Sequence, residues 1–161
     1  MNMWRINLKR NGLFDEIDLK LLSILQADPR TTMSELARRV DMSSPAVTER
    51  VARLEEDGVI AAYRLDLNPA AFGYPLIAFV RIRPLPGQLA KIADLARQVP
   101  QVAECHRITG EDCFLLKIYL ADVSSLDRIL DRFLTYGQTT TSIVQSSPVP
   151  PRSLPLPKKA V

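Results

Sequence analysis

Residues 15–60 read DEIDLKLLSILQADPRTTMSELARRVDMSSPAVTERVARLEEDGVI, and their punctuation decides how the first part of the chain folds. Ile17, Leu21, Leu22, Ile24 and Leu25 recur at helical spacing, while Asp15, Glu16 and Asp18 place negative charge where a helix N-terminus favours it. Pro29 ends that helix, having no N–H to give to the ladder. Thr32 followed by Glu35 fits a capping box, in which hydroxyl and carboxylate each take a free backbone N–H. The second helix carries only Leu36, Ala37 and Val40 before Asp41, Met42 and Ser43 interrupt it. Ser43 then caps a third helix, Pro45 suits its first turn, and Met42 can fold onto Val47 across the cap.

On a wheel of about 100° per residue, Val47, Val51 and Leu54 form one buried stripe on the third helix. The opposite arc holds Pro45, Glu49 and Arg53, with Ser44, Thr48 and Arg50 at its margins. A short helix, a tight turn and a longer helix that opens on small polar residues make a helix-turn-helix, whose second helix enters the major groove by its N-terminal end. Candidate DNA contacts are therefore Ser43, Ser44, Pro45, Thr48, Glu49, Arg50 and Arg53, with Arg30, Ser34 and Arg38 expected at phosphates. Arg39 adds to the local positive charge. For any single arginine, a solvated helix face is the competing reading.

Beyond Gly58, a left-handed helix end, residues 59–68 alternate enough to read as an extended segment, stopped by Asn68-Pro69. A lone strand needs a partner, with Tyr63 and Leu65 as candidate contacts. From Leu76 the pattern runs strand (77–83), helix (88–99), strand (102–109), strand (113–120), helix (124–136), strand (139–145). That order is the split βαβ, ferredoxin-like arrangement, a sheet with helices on one face. The uncovered face is expected to pair with a second copy, giving a homodimer that also suits a two-half-site operator. RNA-recognition modules share the strand order but need exposed aromatics and a basic glycine-aromatic motif, and GEDCFLLKIYL is acidic and mostly aliphatic there.

Composition narrows the function classes. The chain has 161 residues, 47% hydrophobic and 24% charged, as in ordinary globular proteins. No apolar run approaches the roughly 20 residues needed to cross a bilayer, and MNMWRINLKR lacks a signal-like apolar core, so a cytoplasmic location with no membrane partner is expected. The net charge of +3 is less than the cations of the two ends, Arg5, Lys9 and Arg10 before residue 15 and Arg152, Lys158 and Lys159 in the last stretch, so the middle carries −3. Global charge does not argue for DNA; a local patch must. Cys105 and Cys113 are read as buried reduced thiols, because hairpin register keeps them from facing each other, and one histidine gives no metal cluster. His106 has no partner at a catalytic spacing, and neither enzyme chemistry nor a cofactor is expected.

The run from Asp15 to Tyr74 resembles the DNA-binding domain and linker of the Lrp/AsnC, or feast/famine, family. The resemblance rests on Asp15, Asp18, Leu22, Leu25, Arg30, Glu35-Leu36-Ala37, Ser43, Val47, Arg50, Leu54-Glu55 and Gly58-Val59-Ile60. Residues 76–145 are similar to the family's amino-acid-sensing domain, and RITGEDCFLLKIYL to its glycine-turn motif. The resemblance implies an amino-acid effector bound between dimers at Thr109, Gly110, Glu111, Asp112 and Cys113, a linker strand paired with its counterpart in a second chain, and an octamer. At Gly110 a ligand can approach the backbone closely, and Glu111 or Asp112 would meet an ammonium, although a plain hairpin turn explains the same residues. Cys113 stands where many relatives carry aspartate, and a thiol is no ammonium partner, so a leucine-type response does not follow.

The expected organisation is an N-terminal arm (1–14), a helix-turn-helix domain (15–60), a linker strand (61–75), a sensing and oligomerisation domain (76–147) and a flexible Pro-rich tail (148–161). The expected function is sequence-specific regulation of transcription in response to an amino acid or related metabolite. A ligand-independent architectural DNA-binding protein, or an amino-acid-binding module of a metabolic enzyme, is the alternative.

Overall fold

Two aspartates closing a reciprocal cap start the first helix. The Asp18 N–H donates to Asp15 Oδ1 at 2.8 Å and the Asp15 N–H donates to Asp18 Oδ2 at 3.0 Å, which satisfies two amides that a helix start leaves without partners. The computed structural model describes residues 14–158 and divides them into two units, one of residues up to Leu65 together with those from Pro151, the other Asp66–Pro150. The expected N-terminal arm lies, except for Phe14, outside the described residues.

In the first unit, α1 (Glu16–Ala27), α2 (Met33–Val40) and α3 (Ser44–Glu56) follow the punctuation of the sequence. Thr32 accepts the Glu35 N–H at 3.3 Å, but the capping box expected there is only half made. The Glu35 carboxylate turns instead to Arg38 and Arg39, whose two guanidiniums give it three hydrogen bonds and full positive charge where the amide would give one bond. Asp41 caps α2 in the left-handed region at φ 55°, and Ser43 accepts the Ala46 N–H at 3.4 Å to open α3. Leu21, Leu25, Leu36, Ala37, Val47 and Val51 form the core, with Met42 and Ile60 packed on its edge.

Residues 59–68 form no strand. The strand expected there is one paired with another strand, and among the described residues of this chain no element offers its backbone a ladder, so Tyr63, Leu65 and Leu67 stand exposed. Tyr63 is tied locally, its hydroxyl donating to Glu55 at 2.9 Å.

The second unit opens with a short 3-10 turn (Pro69–Phe72) and continues as β1 (Leu76–Pro84), α4 (Leu89–Gln98), β2 (Val102–Arg107), β3 (Phe114–Leu120), α5 (Val123–Leu134) and β4 (Gly137–Ile143). The four strands lie in the order β2-β3-β1-β4 with every neighbouring pair antiparallel, the ferredoxin-like topology. Alternate residues of β1 and β3, Ala78, Val80, Ile82, Phe114, Leu116, Ile118 and Leu120, meet Ile92 and Ala96 of α4 and Leu126, Ile129 and Phe133 of α5. The other face has no helix, and Ile77, Phe79, Leu115 and Tyr119 lie on it partly exposed.

Both cysteines are free, as expected, but neither is buried. Cys105 is exposed, opposite Leu116 on the edge strand β2, and Cys113 is half-buried just before β3. An edge strand has covering neighbours on one side only, which leaves such a thiol open to solvent.

At Gly137 the start of β4 lies tight against the end of β1. A Cβ there would sit 2.5 Å from the Arg83 carbonyl oxygen, a backbone atom that cannot swing aside. Gly137→Ala should therefore lower unfolding stability in urea by about 1–3 kcal/mol. Wild-type stability in that variant would show that the two strands separate freely.

Candidate nucleic-acid interface and effector turn

Serine, proline and threonine at the start of α3 do two things at once: they end the preceding turn and leave no bulky side chain on the outer arc. Pro45, Thr48 and Glu49 are exposed, Ser44 is half-buried, and Val47, Val51 and Leu54 on the opposite side are no more than 2% exposed. The Thr48 hydroxyl donates to the Ser44 carbonyl at 2.9 Å, which fixes its methyl and oxygen relative to the helix. Ser43 lies at the cap itself, exposed, its hydroxyl committed to the Ala46 N–H. The N-terminal half of α3 thus offers a narrow polar ridge with free backbone polarity at its tip.

Arg50 and Arg53 are not loose members of that ridge. Arg50 Nη1 lies 2.7 Å from Asp15 Oδ2 and 2.9 Å from Asp18 Oδ1, and Arg53 Nη2 lies 2.8 Å from Asp18 Oδ2. The Asp18 side chain has no solvent exposure, that of Arg50 has 22%, and that of Arg53 has 46%. Burial opposes ionisation of Asp15, yet the Asp18 N–H and the Arg50 guanidinium outweigh it and hold that carboxyl below its usual range. Asp15 and Asp18 in turn raise the Arg50 guanidinium further above its ordinary value. Two cations of α3 are thereby matched by two anions of α1.

On α2 the balance differs. Arg38 Nη2 and Arg39 Nε both lie 2.7 Å from Glu35 Oε1, and their hydrogen bonds hold the Glu35 carboxyl at about 2. Two guanidiniums share one carboxylate, so Glu35, Arg38 and Arg39 together carry one positive charge. Arg30 and Ser34 are also exposed; the Arg30 N–H donates to Asp28 Oδ1 at 2.9 Å, and Ser34 Oγ lies 3.1 Å from Thr32 Oγ1.

The candidate effector turn lies between β2 and β3. The Ile108 N–H donates to the Cys113 carbonyl at 3.0 Å and closes it, while Gly110 at φ 107° has open space where a side chain would stand. Thr109 is exposed, and Cys113 Sγ lies 4.0 Å from the Glu111 carbonyl oxygen. The acidic pair already has partners: Glu111 is ion-paired to Arg83, and Asp112 lies 3.6 Å from Arg81 and 4.0 Å from Arg83. Sequence reasoning missed these arginines. Their signal was their spacing, since residues two apart on β1 must share the face that the acidic turn borders. The same face carries His106 Nε2 at 3.2 Å from Glu104, and Glu104 at 3.1 Å from Lys117. Among the described residues no group of three or more His, Cys, Asp or Glu side chains is placed to hold a metal ion.

A family model described as winged helix-turn-helix DNA-binding matches residues 14–61, and one described as the Lrp/AsnC ligand binding domain matches residues 77–154. The chain is 38% identical over 132 residues to the HTH-type transcriptional regulator LrpA of Mycobacterium tuberculosis, covering 81% of this chain and 88% of that one. It is 31% identical over 132 residues to LrpC of Bacillus subtilis, covering 82% and 92%. It also superposes with a TM-score of 0.81 on a Neisseria meningitidis transcriptional regulator crystallised as an L-methionine complex, at 30% identity over 88% of this chain and 96% of that one.

The Asp18 network yields a direct test. Asp18→Ala leaves Arg50 with Asp15 and takes from Arg53 the carboxylate it pairs with, and the first unit should lose about 2–4 kcal/mol, below the full cost of breaking a buried pair because both arginines reach water. Urea unfolding followed on α1 amides measures it; a loss under 1 kcal/mol would mean that water replaces Asp18 at Arg50 and Arg53 almost without cost.

Proposed function

The chain belongs to the Lrp/AsnC family, and on that premise we propose that it is a sequence-specific DNA-binding transcriptional regulator responsive to an amino acid or related small metabolite. The observation that carries the DNA reading is the sidedness of α3, fully buried at Val47 and Leu54 and polar and exposed at Pro45, Thr48 and Glu49. Ser43, Ser44, Pro45, Thr48 and Glu49 face base edges or the adjoining sugar-phosphate, where short side chains allow close approach. Arg30, Ser34 and Arg38 hold phosphates. Arg53, half exposed, reaches a phosphate from its pair with Asp18, whereas Arg50 acts as a strut that sets the roll of α3.

The second unit is the sensor. Thr109, Gly110, Glu111, Asp112 and Cys113 border the effector, and the L-methionine bound in the Neisseria regulator supports an amino acid as its class. Arg81 and Arg83 modify the expectation drawn from the acidic pair. A zwitterion entering there finds guanidiniums for its carboxylate as well as carboxylates for its ammonium. The helix-free face of the sheet supports a homodimer, and further association to an octamer follows the family pattern. No described helix is long and apolar enough to cross a membrane, and we place the regulator in the cytoplasm, acting by binding and without catalysis.

Two measurements check this reading. With an operator obtained by selection from random duplexes, Thr48→Ala should reduce discrimination against random DNA by about 1–3 kcal/mol, whereas Arg38→Ala should lower the slope of log K against log salt by about 0.9 and leave discrimination intact. Indifference of binding to both changes would remove α2 and α3 from the interface. A thermal-shift panel of the twenty amino acids tests the sensor: a hit at about 100 times its Kd stabilises by about 2.7 kcal/mol, and Glu111→Ala should abolish it. A flat panel would favour the architectural, ligand-independent alternative.

A further inference from the structure

Residues 145–158 follow the last strand and contain no helix or strand. Every one of them is exposed except Leu156, which is half-buried. Eleven residues beyond β4 the chain makes a specific contact: the Gln26 side-chain amide of α1 donates to the Leu154 carbonyl at 2.7 Å. From Pro151 onward the segment belongs to the first unit, not to the sheet unit it emerges from.

The surface it meets has the right chemistry. At about 100° per residue, Leu19, Leu22 and Gln26 fall together on one flank of α1, beside the stripe of Leu21 and Leu25. Leu19 and Leu22 are half-buried, yet they belong neither to the core nor to the side chains packed on its edge. A prolyl-rich segment is suited to such a strip. Pro151, Pro155 and Pro157 restrict it to extended conformations before docking, so little chain entropy is lost when it is held. Its carbonyls, which no ladder uses, remain available to an amide such as that of Gln26.

We propose that residues 153–156 dock on the flank of α1 formed by Leu19, Leu22 and Gln26, with Leu156 as the apolar anchor and the Leu154 carbonyl as the polar one. The helix-turn-helix unit is then fastened to the rest of the chain twice, once through the linker that follows α3 and once through the tail. The second fastening is reversible, and its release lengthens the tether on the DNA-reading unit without touching either core.

Trypsin reads the docking directly, because cleavage after Arg152 requires residues 153–155 to leave any surface they occupy. In the native full-length protein this bond should be cut about tenfold more slowly than in a free peptide of residues 147–161. Leu156→Asp, normalised to a peptide carrying the same change, and Gln26→Ala, normalised to the wild-type peptide, should bring the rate back toward that of the peptide. Equal rates for wild type, Leu156→Asp and peptide would overturn the proposal. A second readout does not depend on the protease: removal of residues 151–161 should shift the methyl resonances of Leu19 and Leu22 and leave those of Val80 and Leu116 in place. Unmoved Leu19 and Leu22 signals would equally overturn it.

Discussion

Asp18 is a carboxylate shut off from water, and what the first unit presents outward follows from how its charge is met. It accepts an N–H at the start of α1 and pairs with Arg50 and Arg53 of α3, so one side chain binds a helix start to the flank of another helix. A buried ion pair of this kind adds little net stability over a well-packed apolar substitute, but it tolerates few alternative arrangements. Rotating α3 by one residue would carry Arg50 away from Asp15 and Asp18 and draw Val47 out of the core. Hydrophobic burial makes α3 pack; the ionic contact selects the angle at which it packs.

The sheet unit solves a different problem with the same economy of residues. Its helix-facing side is closed by aliphatic and phenyl groups, whereas its open side mixes Phe79, Leu115 and Tyr119 with Arg81, Arg83, Glu104, His106 and Lys117. Charges there are met by neighbours of opposite sign across strands, so the face is neither oily nor strongly charged. Such a surface can be covered by another protein surface without leaving unpaired ions inside, a requirement that purely basic or acidic faces fail.

The helices of the first unit and the βαββαβ order of the second were legible in the sequence because both arise from local rules. Period 3.6 set the Val47, Val51 and Leu54 stripe, period 2 marked β1 and β3, and Ser43, Thr32 and Pro29 punctuated the joints. What was not legible depends on residues far apart in the chain. Arg50 and Asp15 are 35 positions apart, and nothing in either neighbourhood announces their meeting. Glu35 had two suitors, a backbone amide and two guanidiniums, and spacing alone cannot rank them. The acidic turn looked available because Arg81 and Arg83 lie about thirty residues earlier on another strand, at the range over which chain reversal erases sequence signals. Residues 59–68 carried an alternating pattern with no strand partner among the described residues, and pattern without partner does not make a strand.

The division of labour around α3 bears on how such a protein diversifies. Orientation rests on Arg50, Val47, Val51 and Leu54, while the tip that projects outward is built from Ser44, Pro45, Thr48 and Glu49, and the two sets share no residue. With the tip reading DNA as proposed, duplicated copies can exchange its residues by single codon changes and acquire new targets while inheriting an undisturbed chassis. Drift in the first set is purged through misfolding; drift in the second is judged only by which genes come to be regulated.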